Sequence, residues 1–506
     1  LPSLPELPSW PVWPPDWPEI RRSIEGVIRD GQWGRYHSEV VEQLAQRLGA
    51  LSGCEHVHLC SSGTGALELA LRAARIPAGR EVLLAAYDFP GNLRTVELLG
   101  LRPVLVDCRP GSVVVDPQAW MAAASEQTAA MVVSHLYGHV SDIGAFRPWA
   151  QQRGILLIED ACHCPVVLPR SPQSPPGTES PLGTVHAQLA HAGDSARAGD
   201  SACGGDSACA GDSARGGDSA LAGDSACGGD SARSGDSARS GDSARGGDSA
   251  RAGDSARGGD SACGGDSARA GGSARAGDSA RAGDSACGGD SARVAGAVSR
   301  HDDGMGGSRV LGGRGDVGLI SFGGSKTLTA GNGGALLCND SQFAQRAQMI
   351  ARRPSDSSPL SALQAAALLP QLDRLPELAA RRRRSAAQLQ QQIDRLVDFG
   401  YRNLAFASDA PALVADYYKF AFLAPSAVVR ARAVARAEAV GLPLRAGYRS
   451  AARISPRRCR RPAELPVAKR LGECLLALDH PVLLAEPAAF AEILGDLESV
   501  LRGAAE

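Results

Sequence analysis

The 506-residue chain has no apolar run long and uniform enough for a membrane span, which argues against a bilayer-embedded helix. It has no excess of charge either. The 53 Lys and Arg against 55 Asp and Glu leave a formal net charge of −2, so no global basic footprint points to nucleic acid. The N-terminal LPSLPELPSWPVWPPDWPEI lacks a basic region followed by an apolar core, the pattern of a secretory signal. It also lacks an initiator methionine, so the natural N-terminus is expected upstream. Residues 1–20 read as an extended Pro/Trp arm whose tryptophans dock on the body or on a partner subunit. Zinc-type CxxC pairing is missing among the 13 cysteines: Cys203, Cys209, Cys227, Cys263 and Cys287 fall in repeats, and the rest stand singly or as the pair Cys162 and Cys164. That usage points to no metal site and no disulfide framework, and fits a reducing cytoplasm. Lysine, too, is scarce, which gives each one weight.

What the chain has in excess is repetition. From about Gly193 to Arg293 it repeats G-D-S-A-[R/C]-[A/G/S] with a six-residue period, about seventeen times. A hexapeptide β-helix needs a large aliphatic side chain at an inward position of each turn, and alanine is the sole candidate here. One buried methyl per turn cannot offset the ordering of six residues, roughly 1–2 kcal/mol each for backbone alone. The calcium-binding β-roll has a nine-residue period with a large apolar residue, so GGDSA resembles it only superficially. The tract is expected to be a disordered, nearly neutral tether.

Three segments outside the tract carry chemistry. In LISFGGSKTLTAGNGGALL (319–337) a β-rich run, Leu319 to Phe322, empties into a small-residue loop with one lysine, Lys326, before a second apolar strand from Ala335 to Leu337. A lysine at a strand end, in an apolar pocket or beside a second cation, loses proton affinity and can attack carbonyls; otherwise it is a solvated surface charge. In GILLIEDACH (154–163) the run Ile155 to Ile158 reads as a buried parallel strand with Glu159 and Asp160 at its carboxyl end, the edge where open α/β sheets bind ligands. Asp160 there caps the next helix or faces a cofactor ring nitrogen. In HLCSSGTGALELALRAA (58–74) a strand passes through a Gly/Ser/Thr turn into a helix, either an anion site or an ordinary helix cap. The run Arg381 to Arg384 lies in ELAARRRRSAAQLQQQI, a helical pattern, and is expected on an exposed face.

Together the segments resemble the DegT/StrS-type sugar aminotransferases, pyridoxal-phosphate enzymes of the fold type I aspartate aminotransferase class. The family pattern SGTAALELAL, YTFVAT, HLYGQPADM, VIEDAAQ and SFxxxKxLTxGEGGA is met in order by SSGTGALELAL, YDFPGN (87–92), HLYGHVSDI (135–143), LIEDACH (157–163) and SFGGSKTLTAGNGGA (321–335). The resemblance runs on through residues 360–389 and 465–483, and leaves out only about 169–310. It implies an α/β fold with a mostly parallel sheet flanked by helices: residues 21–168 and 311–390 form a large cofactor-binding domain, 391–506 a smaller C-terminal α/β domain, and 169–310 a low-complexity insertion.

By the same resemblance the cofactor is pyridoxal 5'-phosphate and the protein a homodimer. An amino group passes from glutamate or glutamine to a keto-sugar or keto-cyclitol. Lys326 is implied as the Schiff-base lysine and proton shuttle, and Asp160 as the partner of the pyridine nitrogen. His163 stands near the ring oxygen where the family usually has glutamine, and Phe89 stacks on the ring. Gly63, Thr64 and Gly65 hold the phosphate with help from Ser321. On the residues alone, Phe89 is also readable as core, His163 as a structural histidine and Ser321 as a strand-end cap. The family's G-x-N-x-R is replaced by SDSSP (355–359), which puts Ser357 and Pro359 where asparagine and arginine reach the neighbouring subunit's phosphate, and Asn332 replaces the glutamate of GEGGA. The alternatives are a non-catalytic regulator or scaffold on the same fold, and a sugar dehydratase, whose members replace the lysine with histidine.

Overall fold

The computed structural model describes residues 10–14, 16–35, 37–164, 168–169, 312–352, 358–405, 413–414 and 416–506. The repeat tract, with the disorder expected of it, lies outside the described residues, as does Ser357.

Short runs rich in Val, Leu and Ala build one seven-stranded sheet: β1 His56–Cys60, β2 Glu81–Ala85, β3 Arg102–Val106, β4 Thr128–Ser134, β5 Leu156–Asp160, β6 Val317–Ser321 and β7 Gly334–Cys338. Their order is β1-β7-β6-β5-β4-β2-β3. Strands β3, β2, β4, β5 and β6 pair in parallel, and β7 runs antiparallel to both β6 and β1. Every residue of β2, β5, β6 and β7 is buried, as a sheet covered on both faces requires. Register fixes the rest: Ser134 pairs with Asp160, and Asp160 with Leu319, so the carboxyl ends of β4, β5 and β6 meet at one edge.

A second sheet forms after residue 400. Lys419–Leu423 and Leu475–Asp479 pair antiparallel at its centre, flanked by Arg402–Asn403 and Leu444–Ala446. Phe420, Phe422, Leu476 and Leu478 share its core with Phe490, Ile493 and Leu497 of the last helix, Pro487–Ala505. Beyond Ala446 the chain returns to the large sheet, where Ala451 N–H donates to the Ala86 carbonyl at 2.8 Å.

The helix Leu375–Asp394 forms where expected, but its arginines are not a solvated face. Arg382 and Arg383 are buried, Arg381 is half-buried, and Arg384 alone is exposed. Four consecutive helical residues sweep about 300° of the cylinder, so on a helix packed from both sides some must point inward. Arg382 donates from Nε to the Asp416 carbonyl at 2.9 Å and pairs with its carboxylate, both side chains fully buried.

The aromatic arm docks on the body of its own chain. Trp17 is buried under the Arg374 guanidinium, 4.7 Å from its ring. Trp13 meets His480 edge-on, with ring centroids 4.5 Å apart. Among the described residues no helix is long and apolar enough to cross a membrane.

Candidate active site

At the carboxyl edge of the sheet a cleft is lined by Gly63, Thr64, Phe89, Asp160, His163, Ser321 and Lys326, with Asn332 at its margin. Seven of the eight residues singled out in the sequence thus face one space. Gly65 does not. Ser62 caps the helix Gly63–Ala73 by accepting the Gly65 N–H at 3.0 Å, and the Ala66 N–H closes on the Ser62 carbonyl at 3.0 Å. Gly63 and Thr64 are what this helix end presents to the cleft. A Cβ on Gly63 would stand 2.9 Å from both the Ser321 Cβ and the Cys162 Sγ, so only glycine lets the helix end sit this close to β6.

Lys326 follows β6 in a tight loop, its N–H bonded to the Gly323 carbonyl at 2.9 Å. It is 3% exposed, with Nζ 4.7 Å from the centre of the Tyr418 ring. Tyr418 shares a hydrogen bond of 2.8 Å with Ser325 Oγ, and Trp13 Nε1 donates to the Lys326 carbonyl at 2.9 Å. Of the other lysines, Lys419 is buried against Asp479 at 2.7 Å and Lys469 is exposed. Burial pulls Lys419 down, but the Asp479 charge and hydrogen bond, together with Tyr418 and Tyr137, hold it above its ordinary value.

Asp160 is the last residue of β5, and its side chain is bound on both oxygens. Oδ1 accepts the Cys162 N–H at 3.1 Å and Oδ2 accepts from Asn92 Nδ2 at 2.9 Å. Its neighbour Glu159 points to the opposite face, where it accepts from His135 Nε2 at 3.0 Å and from the N–H groups of Arg314 and Gly315 at 2.7 and 3.1 Å. Burial alone would raise Glu159; the His135 bond and these donors hold it below the usual carboxylate range. Adjacent acids on a strand therefore divide the work, one tying β5 to the start of β6 and one facing the cleft.

His163 is buried, and burial reinforced by the charges of Lys326 and Lys419 pushes its pKa well below the ordinary value, so the ring is neutral. Nδ1 accepts the Tyr137 N–H at 3.3 Å, which leaves the hydrogen on Nε2, 3.4 Å from the Tyr448 hydroxyl. Phe89 is half-buried and packs edge-on against Tyr448 at 5.9 Å. Ser321 ends β6 and accepts the Gly323 N–H at 3.3 Å. Asn332 is exposed and accepts the Gly333 N–H at 2.9 Å; exposed Pro359 forms a bridge with Cys60 at the start of the same turn region.

Asp88, Asn92 and Ser134 also line the cleft, with Tyr418 against Lys326 and Tyr448 against Phe89 and His163, and all five escape the sequence reading. The signal for two of them was legible: in YDFPGN the Asp88 and Asn92 positions both carry threonine in the family pattern YTFVAT.

The model of the DegT/DnrJ/EryC1/StrS aminotransferase family matches residues 17–165 and 286–489. Over 158 residues the chain is 36% identical to the L-glutamine:2-deoxy-scyllo-inosose aminotransferase of Streptomyces paromomycinus, which covers 29% of this chain and 37% of that protein. Over 146 residues it is 33% identical to the pleiotropic regulatory protein of Geobacillus stearothermophilus, 29% of this chain and 39% of that one. The chain thus spans less than two fifths of the length of these curated relatives. The crystal structure of 3-amino-5-hydroxybenzoic acid synthase matches 98% of this chain and 100% of its own with a TM-score of 0.63 at 18% identity, a likeness of fold.

Proposed function

Because this chain belongs to the DegT/DnrJ/EryC1/StrS aminotransferase family, we propose that it moves an amino group from glutamate or glutamine to a keto-sugar or keto-cyclitol with pyridoxal 5'-phosphate as cofactor. One observation carries the reading: Lys326, Asp160 and the N-terminus of the helix Gly63–Ala73 line the same cleft.

The donor set fits that cofactor. The helix end at Gly63 and Thr64, with the Ser321 hydroxyl beside it, suits a phosphate. Lys326 supplies an amine for the aldehyde, Asp160 a carboxylate for the ring nitrogen, and Phe89 an apolar cover. Bound there, the cofactor supplies a carbonyl that captures amines and a ring that draws electrons from the amino-bearing carbon. The side chains do the rest. Lys326 Nζ, shielded from water against Tyr418, takes the proton from that carbon and returns it. Asp160 presents negative charge on a carboxylate already fixed by Cys162 and Asn92, so it need not reorganise. Neutral His163 adds a donor without adding charge.

The test is chemical. Borohydride reduction of the protein incubated with pyridoxal 5'-phosphate should leave a pyridoxyl group on the peptide containing Lys326, and Lys326→Ala should carry none. An adduct on Lys419 or Lys469 alone, or none in the parent, sinks the assignment. The match to the Geobacillus regulatory protein and the changes at Pro359 and Asn332 favour a second reading, a regulator on the same fold. If this chain is such a regulator, it should form no reducible adduct and show no amino transfer to keto-cyclitols. We read the working form as a homodimer, on family resemblance, which light scattering checks. On the scattered cysteine pattern of the sequence we read its compartment as a reducing cytoplasm.

A further inference from the structure

Two acids from different strands meet beside the cleft. Asp88 follows β2 and Asp160 ends β5, and they are 8% and 6% exposed. Ser134 Oγ lies 2.7 Å from Asp88 Oδ2 and 3.3 Å from Asp160 Oδ2. Asn92 Nδ2 lies 3.2 and 2.9 Å from the same two oxygens. An amide nitrogen offers two hydrogens and a hydroxyl one, so Asn92 can serve both acids while Ser134 can donate to only one. With both acids ionised, one oxygen would face the serine lone pairs at hydrogen-bond distance, with a second anion beside it and little water to screen them.

One additional proton removes the conflict. Placed on Asp88 Oδ2, it is donated to Ser134, whose own hydrogen then points to Asp160. Asn92 gives one hydrogen to each acid, and its shorter contact falls on Asp160, where the charge stays. We propose that Asp88 keeps its proton and, through Ser134, fixes the pair's single negative charge on Asp160, facing the ring nitrogen of the cofactor. Asp88 is thereby a positioning residue for Asp160; its consequence for the cofactor rests on the function proposed above.

Electrostatics point the same way. Burial first, then the Asp160 charge, pushes Asp88 up to about 7, against the opposing bonds from Ser134, Phe89 N–H and Asn92. The titratable groups facing Asp88 are Asp160 from β5 and Cys108 beyond β3, whose own thiol burial pushes up further. The helix that follows it, Pro90–Leu98, and β4 contribute the uncharged Asn92 and Ser134; Lys326 and neutral His163 line the same cleft.

Infrared titration of the full chain without cofactor tests the pair. Ordinary carboxyls have lost their protons by pH 6, so the wild type minus Asp88→Asn difference should show one protonated carboxyl with a midpoint near 7. In Asp160→Asn, with the like charge gone, that midpoint should fall by about one pH unit or more. A difference spectrum with no protonated carboxyl at pH 6, or a midpoint indifferent to Asp160→Asn, overturns the proposal. In protein loaded with pyridoxal 5'-phosphate the cofactor absorbance should step as Asp88 titrates, at or below the cofactor-free midpoint, and lose the step in Asp88→Asn; a step that persists also overturns it. Failure of the wild type to take up cofactor would undo the reading of the cleft and leave the infrared result standing.

Discussion

Gly91 offers a way to move the cleft without moving the fold. A methyl built on Gly91 would lie 2.3, 2.9 and 3.1 Å from Cε1, Cδ1 and Cζ of Phe89, well inside the ~3.5–4.0 Å of carbon contacts. Something must shift by more than 1 Å. The obstacle is the end of a side chain that is itself half-buried, so the ring turns away and the backbone stays. Gly91 sits in the first turn of the helix Pro90–Leu98, where alanine is favoured over glycine by up to about 1 kcal/mol. The expected result of Gly91→Ala is thus an unchanged or slightly raised melting midpoint together with weakened cofactor binding. If Phe89 covers the bound ring, losing that contact costs about 1–2 kcal/mol, a fall in affinity of roughly five- to thirtyfold, read by absorbance titration with pyridoxal 5'-phosphate. A double-mutant cycle isolates the cause. In a Phe89→Ala background there is no ring to displace, so adding Gly91→Ala should change affinity by less than about twofold. Equal losses in both backgrounds, or no loss in either, would refute the steric account.

Other outcomes follow from burial and charge. Arg382→Met strands the Asp416 carboxylate in the interior and should cost about 3–5 kcal/mol, seen as a lowered urea midpoint, while Arg382→Met with Asp416→Leu should recover most of it; an unaltered midpoint in the single variant would show the pair to be idle. Because burial raises Asp416, the single variant's deficit should also shrink as pH falls and the orphaned acid takes a proton. Burial holds His139 at about 4 against an ordinary 6.5, so the unfolded chain protonates first and stability present above pH 6.5 is lost as pH falls toward 4. The loss from this residue is ~3 kcal/mol, and His139→Gln should flatten the acid limb of a melting-temperature profile; an identical limb refutes the assignment. Trp13→Phe keeps the ring against His480 but removes the N–H given to the Lys326 carbonyl. About 1 kcal/mol, or a fivefold weaker uptake of cofactor, is expected, and parent affinity in both Trp13→Phe and Trp13→Ala would mean that the arm does not steady the lysine loop.

What the sequence made legible was local. Lys326, Asp160 and the Gly63–Thr64 helix end each sit where a strand or a turn changes character within a few residues, and such changes can be read along one line of text. What escaped was set by partners distant in the chain. Ser134 and Asp160 end two strands and Asp88 lies in the loop after a third, and only the sheet order brings them together. Arg382 looked like part of a solvated run because its partner, Asp416, lies 34 residues away. The Trp13 bond to Lys326 bridges 313 residues. Gly65 gives its N–H to Ser62 rather than to the cleft for a subtler reason: a Ser-x-x-Gly turn does not announce which first-turn amide the serine hydroxyl will consume.

The pairing of β5 with β6 makes this chain a natural candidate for division. The two strands are parallel neighbours, Ile158 against Val317 and Asp160 against Leu319, although 156 residues separate their nearest ends in the chain, from Asp160 to Val317. A cut anywhere between 170 and 311 would leave Asp160, Phe89, His163 and the Gly63–Thr64 helix end on one polypeptide, and Lys326 and Ser321 on the other. Neither piece would own a cofactor site. Two separately expressed halves would then be colourless alone and gain the absorbance of bound pyridoxal 5'-phosphate only as β5 and β6 zip together, so that colour would count the joined molecules.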